Sequence, residues 1–258
     1  MNLGIQNKNA LVCGSSQGIG KAAAIALAEE GVNVTLLARN EEALQGVLQE
    51  LPNKNQHHDY IVADFSNPET VQKAVLDHGA NFHILINNTG GPRSGLIQEA
   101  TSEQFLNAFT MHLLVNQKLS QACLPFMKSE GFGRIINVIS TSVKEPIPGL
   151  GVSNTIRNAV ANWAKTLSGE VAADGITVNN VLPGFTQTIR LDEIVGIKAR
   201  KEGTSESQME EIMKNYVPMK RFAKAEETAA AIAFLASSKA SYITGINVPV
   251  DGGRTKSL

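Results

Sequence analysis

Cysteine is nearly absent from this 258-residue chain: only Cys13 and Cys123 occur. They lie far apart, with neither paired spacing nor neighbouring histidines, which excludes a disulfide framework and a zinc site as organisers of the fold. Both read as reduced, packed thiols, and no metal is expected. Charge of one sign is also missing. The 23 basic and 24 acidic residues leave a formal net charge of −1 without long blocks, so a general affinity for nucleic acid or membrane surfaces is not expected. No apolar run approaches the ~18 residues needed to span a bilayer. Met1 to Asn9 lacks a basic segment followed by an apolar stretch, and the terminal Lys256-Ser257-Leu258 permutes the peroxisomal Ser-Lys-Leu address without matching it. A cytoplasmic protein with a small-molecule partner is the expectation. Internal repeats and linkers are absent too. The 43% hydrophobic content and 22 glycines suit one large α/β domain over residues 1–258.

What is present is an alternation of short apolar runs with longer amphipathic segments. Ala10-Cys13, Val32-Ala38, Tyr60-Ala63, Phe82-Ile86, Arg134-Ile139, Ile176-Leu182 and Ile246-Val250 read as strands. Ile19-Glu30, Glu41-Leu51, Pro68-Asp77, Thr101-Met127, Ser153-Ala173 and Ala225-Ser237 have helical spacing, and Thr101 with Gln104 forms a capping box. Strands separated by helices imply a doubly wound, Rossmann-type parallel sheet of seven strands, with its ligand crevice beyond their carboxyl ends. Residues 189–216 depart from this rhythm, being charged and weakly patterned. They read as a substrate-covering lid or as a plain surface excursion.

The first strand runs directly into Gly14-Ser15-Ser16-Gln17-Gly18-Ile19-Gly20 and then a helix. Glycines there permit a tight backbone and close approach of a pyrophosphate, whose charge meets the free N–H groups at the helix start. Gly14, Ser16, Gln17, Gly18, Ile19 and Gly20 are therefore assigned to cofactor binding. The second strand ends in Ala38-Arg39-Asn40. An acid at that point would hold a free ribose 2′-hydroxyl, whereas Arg39 matches a 2′-phosphate, so NADP(H) is the expected cofactor. The alternative is a solvated Arg39, or one neutralised by Glu41 or Glu42.

The Gly14-x3-Gly18-x-Gly20 turn, Asp64 after the third strand, Asn87-Asn88-Thr89-Gly90, Pro183-Gly184 with Thr188, and the tail Ser241-Tyr242-Ile243-Thr244-Gly245 followed by Val250-Asp251-Gly252-Gly253 occur together. In this combination the chain resembles the short-chain dehydrogenase/reductase family, especially bacterial 3-oxoacyl-(acyl carrier protein) reductase-like members, over nearly its whole length. The resemblance implies that Asp64 contacts adenine and that Asn87 and Gly90 serve the cofactor site. It also implies that Pro183, Gly184 and Thr188 lie against the nicotinamide, and that the protein is a homotetramer or homodimer. Taken singly, these residues also suit turns and strand ends.

The catalytic residues that the resemblance implies are a Ser, a Tyr-x-x-x-Lys pair and a helix Asn. Ser140 matches the first, with Thr141 and Ser142 as alternatives. Where the pair belongs, the chain has Ser153-Asn154-Thr155-Ile156-Arg157, and His112 stands at the Asn position. Spacing i, i+4 keeps Ser153 and Arg157 on one helical face. Their chemistry differs, because an aliphatic hydroxyl is a far weaker acid than a phenol and Arg stays protonated. His112 is the remaining titratable group, as a catalyst or as a structural residue. Tyr60 and Tyr242 are not placed to replace the phenol, and Tyr216 reaches the site only if the lid folds inward. Arg157 is assigned to the nicotinamide ribose, with a substrate carboxylate or an internal ion pair as alternatives. Arg93 and Arg190 flank the same crevice, leaving an anionic substrate open. The reading is an NADP(H)-dependent oxidoreductase for a carbonyl/alcohol pair, using Ser140, Ser153, Arg157 and His112. The alternative is a cofactor-binding sensor or assembly partner without hydride chemistry.

Overall fold

The computed structural model describes residues 2–79 and 81–257. Met1, which opens the N-terminal segment, and Leu258, which closes the C-terminal tripeptide, lie outside the described residues. Seven apolar segments form strands β1 (Asn9–Cys13), β2 (Asn33–Ala38), β3 (Asp59–Val62), β4 (Ile84–Asn87), β5 (Gly133–Val138), β6 (Ile176–Pro183) and β7 (Asn247–Val250). All pair in parallel, in the order β3-β2-β1-β4-β5-β6-β7. The chain therefore winds outward in both directions from β1, which puts the switch point between β1 and β4. Both faces of the sheet are apolar. Val12 and Ile86 pack under helices α1 (Gly18–Glu29), α2 (Glu41–Glu50) and α9 (Ala225–Ala236) through Leu27, Leu44 and Ile232. Leu11, Leu85 and Ile135 pack under α3 (Pro68–Asp77), α5 (Val115–Ser129) and α6 (Gly151–Val171) through Val71, Leu119 and Ala164. Burial on both sides is why these strands read as continuous apolar runs.

Two segments differ from the sequence expectation. Thr101-Met127 is not one regular helix: α4 (Ser102–Phe109) passes into a π turn at Thr110–Leu114 before α5 begins. Thr101 does close the capping box, since the Gln104 N–H donates to its hydroxyl and Gln104 Oε1 accepts the Thr101 N–H. The buried positions Ala108, His112, Val115 and Leu119 keep 3–4-residue spacing across this turn, so the pattern hides it. Residues 189–216 form two helices, α7 (Ile189–Glu202) and α8 (Glu206–Asn215), started by the Thr188 and Ser205 side chains. Gly203, at φ +65°, turns the chain between them. They share a small core of Leu191, Val195, Ala199, Met209, Met213 and Phe222. Few apolar positions are required for that core, and the sequence pattern is correspondingly weak.

One polar feature crosses the sheet. Asn87, Asn137, Asn180 and Asn247 stand in register on β4 to β7. Each amide donates to the next carbonyl, at 2.9, 2.8 and 2.8 Å. Asn116 of α5 adds a bond to Asn137 at 3.4 Å. These buried amides are tolerated because they satisfy one another along the row, with the Asn87 carbonyl oxygen at its end left without a partner. Asn137→Ala would strand the neighbouring Asn87 amide and Asn180 carbonyl as well as open a void. We expect it to lower unfolding free energy by about 2–4 kcal/mol. Urea denaturation should show a lower midpoint at unchanged slope; a loss below about 1 kcal/mol would contradict the assignment.

Candidate active site

The glycine turn is built by contacts that leave no room for side chains. Gly14 and Gly18 both have φ +57°, a conformation costly for other residues. The Asn88 amide donates to the carbonyls of Cys13 and Gly14 at 3.3 and 3.2 Å. A Cβ at Gly14 or Gly20 would lie 2.8 Å from that amide nitrogen, and one at Gly20 would also overlap the Gly14 carbonyl oxygen. Buried Ser15 ties the turn to β2 by accepting the Leu37 N–H at 3.0 Å. Helix α1 has no side-chain cap from Gln17 and no acid in its first turn. Its leading N–H groups thus remain open to an anion.

From this turn a cleft of about 310 Å³ runs across the carboxyl ends of β1, β4, β5 and β6. It brings together Gly14, Gln17, Gly18, Ile19, Gly90, Ser140, Ser153, Arg157, Pro183, Gly184 and Thr188. Ser16 and Gly20 belong to the turn without lining the cleft. Arg39 is exposed beyond β2 and has no ion pair among the described residues. Glu41, weighed as a neutralising group, instead accepts the Tyr60 hydroxyl at 3.0 Å. Asp64 is exposed after β3, where its carboxylate accepts the Ser66 N–H at 3.0 Å. Asn87 does not line the cleft, because its side chain is committed to the amide row; its neighbour Asn88 does. Arg93 is exposed and outside the lining, whereas Arg190 lines it. Ser15, Asn88 and Arg254 were missed as individual site residues. Asn88 belongs to the Asn87-Asn88-Thr89-Gly90 motif, but Arg254 follows Gly253 with no pattern to single it out.

At the cleft floor, Ser140 Oγ accepts the Ser142 N–H at 3.0 Å, leaving its own proton available for donation. Arg157 is only 7% exposed, and its Nη1 donates to the Val138 carbonyl at 2.8 Å. Its Nε is buried without a partner, and no carboxylate pairs with it among the described residues. Burial, followed by the charge of Arg190, lowers its pKa to about 10, so the cation persists at neutrality. His112, carried by the π turn, is 3% exposed and lies behind Arg157 in a separate chamber of about 10 Å³ shared with Asn87 and Asn116. Burial, then the Arg157 charge, holds its pKa well below 6.5. The structure therefore puts His112 outside the cleft and neutral at pH 7, which counts against its use as a proton donor. No tyrosine replaces the missing phenol: Tyr60 bonds Glu41, Tyr216 is 68% exposed and Tyr242 fully so, and none lines the cleft.

A parallel doubly wound sheet with an uncapped glycine turn at its switch point defines a dinucleotide-binding protein. The family model described as Enoyl-(Acyl carrier protein) reductase matches residues 14–255, and the chain belongs to the short-chain dehydrogenase/reductase family. NADPH-dependent reductase BacG of Bacillus subtilis (strain 168) is 33% identical, covering 98% of this chain and 100% of that protein. The 3-oxoacyl-[acyl-carrier-protein] reductase FabG of Haemophilus influenzae is 34% identical over 96% of this chain and 98% of its own. The crystal structure of L-sorbose reductase from Gluconobacter frateurii, complexed with NADPH and L-sorbose, superposes with a TM-score of 0.93 at 31% identity, both chains being fully covered.

The depressed His112 pKa has a consequence for stability. The unfolded chain takes up protons below pH 6.5 that folded His112 refuses, so stability is level above that pH and falls as pH drops below it. One such group gives a slope of at most ~1.4 kcal/mol per pH unit. His83, lowered mainly by its own burial, adds an effect of the same sign. His112→Asn should flatten this acid limb in urea titrations between about pH 6.5 and 4.5. An unchanged limb would show that His112 does not carry it.

Proposed function

We propose that this chain is an NADP(H)-dependent oxidoreductase that interconverts a carbonyl and an alcohol, with 3-oxoacyl-like compounds among its substrates. The observation that carries this reading is the single cleft joining the open α1 terminus to Ser140, Ser153 and Arg157. The tight backbone that the Asn88 amide imposes at Gly14 and Gly20, the uncapped α1 terminus it leads into and the orphaned Arg157 Nε fit a bound dinucleotide. Bound NADPH supplies the hydride. The α1 N–H groups hold the pyrophosphate, Arg39 the 2′-phosphate and Asp64 the adenine side. Arg157 holds the nicotinamide ribose, while Pro183, Gly184 and Thr188 flank the nicotinamide. Gly90 keeps the backbone low beside it, and Asn87 supports that strand end from beneath.

Ser140 donates a hydrogen bond to the substrate oxygen, and the Arg157 cation stabilises charge developing there. Ser153 relays the proton from solvent, in place of the phenol that this cleft lacks. Helices α7 and α8 act as the lid: Ile189, Arg190, Leu191 and Ile194 of α7 border the cleft, and Met209 and Met213 of α8 back α7 from behind. Exposed Leu106, Phe109 and Leu114 offer an apolar face for assembly into a homodimer or homotetramer. A cytoplasmic location suits the supply of reduced cofactor. The reading as a cofactor binder without hydride chemistry rests on the missing phenol alone. The reductase names of the relatives and the retained hydroxyls and cation weigh against it.

Calorimetry should find NADPH binding more tightly than NADH by at least about tenfold, ~1.4 kcal/mol. Arg39→Asp should reverse the order by opposing the phosphate charge. Equal affinities in the parent would refute the role of Arg39.

Single-turnover NADPH oxidation with ketones, oxoacyl thioesters and organic acids tests the reaction itself, and no turnover with any class would favour the cofactor-binder reading. We expect Arg157→Ala to lower kcat/KM by about 10²-fold through lost positioning. Ser153→Tyr with Arg157→Lys should weaken the native activity, because an ammonium does not reproduce a guanidinium fork and the phenol fills substrate space. Gain of ordinary ketone reduction without that loss would identify a decayed reductase instead.

A further inference from the structure

We propose that Arg254 receives the carboxylate of the substrate, so that this cleft acts on an organic acid with an apolar body. The inference deepens, and rests on, the oxidoreductase reading above. Among the described residues the cleft is lined by three arginines, 157, 190 and 254, and by no Asp, Glu, Lys or His. Two of those cations are already accounted for. Arg190 pairs with Glu193 at 3.0 Å and donates to the Pro92 carbonyl at 2.9 Å. Arg157 lies at the floor on the Val138 carbonyl and is given to the cofactor.

Arg254 differs from both. Its Nη2 donates to the Thr141 hydroxyl at 2.9 Å, its guanidinium lies 4.7 Å from the Phe185 ring centroid, and its Nε is buried without a partner. The nearby acids do not neutralise it by contact. Asp251 uses both oxygens on the N–H groups of Gly253 and Thr255, at 3.0 and 2.8 Å. Exposed Glu145 reaches the Lys256 N–H at 3.5 Å. Neither forms an ion pair with Arg254 among the described residues, although both attract it, and burial weighs against its charge.

A half-desolvated guanidinium with unused donors is suited to a planar anion held by paired hydrogen bonds. Its place gives that anion a role. Thr141 follows Ser140 directly, so an acid anchored on Arg254 is held beside the hydroxyl assigned to the reacting oxygen. The Asp251 turn and the Phe185 ring fix the guanidinium in advance, which reduces the ordering cost of binding. Ile147, Leu150 and Ile194 supply an apolar wall for the rest of the molecule.

The test is calorimetric titration of the protein, with and without saturating NADP⁺, using butyrate, benzoate and 2-oxo-4-phenylbutanoate, each against its neutral amide or ethyl ester. At least one acid should bind ten or more times more tightly than its neutral counterpart. Arg254→Leu should bring that ratio within about twofold, and Arg254→Lys should retain part of it. Dissociation constants for NADP⁺ should stay within about twofold of the parent. Should the leucine variant misfold, Arg254→Gln makes the same comparison with a polar side chain of similar length. A series in which no acid outbinds its neutral partner, or an acid preference that survives loss of Arg254, overturns the proposal. Failure of NADP⁺ and NADPH to bind, with the acid preference intact and dependent on Arg254, would overturn the oxidoreductase reading and leave the anion subsite standing.

Discussion

The Asn88 amide, shared between the carbonyls of Cys13 and Gly14, holds the place on which the site depends. It bridges the ends of β1 and β4, the two strands between which the sheet changes winding direction. Because the amide fills the space above Gly14 and Gly20, the chain must turn tightly and begin α1 at once. That turn directs the uncapped helix end toward the cleft. The same reversal parts the loops after β1 and β4, opening a cavity where other strand ends in a parallel sheet are covered. Anion binding and hydride chemistry are therefore neighbours for a topological reason.

Beside that opening, the buried Arg157 sets the electrostatics. Its guanidinium is held by the Val138 carbonyl and meets no carboxylate among the described residues. A cation so placed is costly to desolvate unless a ligand completes its hydrogen bonding. Burial, reinforced by this charge, keeps His112 neutral in the chamber behind it. The row of amides from Asn87 to Asn247 stabilises the strand ends on this side without adding any charge of its own.

Strand positions and the cofactor turn were legible in the sequence because both arise from local rules. Buried parallel strands must be apolar on both faces, and a strand running into spaced glycines leaves few backbone paths. The π turn was not legible, since the buried positions Ala108, His112, Val115 and Leu119 keep ordinary helical spacing through it. Helices α7 and α8 were faint because their core is only a few side chains deep. Arg254 could not be picked out from spacing. It acquires meaning only when the C-terminal tail folds across the end of β6, where Gly184 leaves space for the Asp251 backbone, and comes to rest against Phe185 and Thr141.

On the roles proposed for Ser140, Ser153 and Arg157, the missing phenol changes the order of events that the cleft favours. With a tyrosine in place, proton transfer can accompany hydride arrival, and negative charge on the substrate oxygen need never fully develop. Here the hydroxyls of Ser140 and Ser153 are weak acids, His112 is neutral, and Arg157 retains its proton at neutrality. Charge on the oxygen must then be borne by hydrogen bonds and by the cation until solvent supplies a proton. Losing a positioned acid costs ~10²–10⁴-fold, whereas orientation within a pre-formed site can recover several kcal/mol of a barrier. A cleft in which arginine is the only charged residue type among the described lining residues is arranged for the second contribution. Its rate should therefore depend more on how firmly the substrate is held than on the acidity of any one side chain.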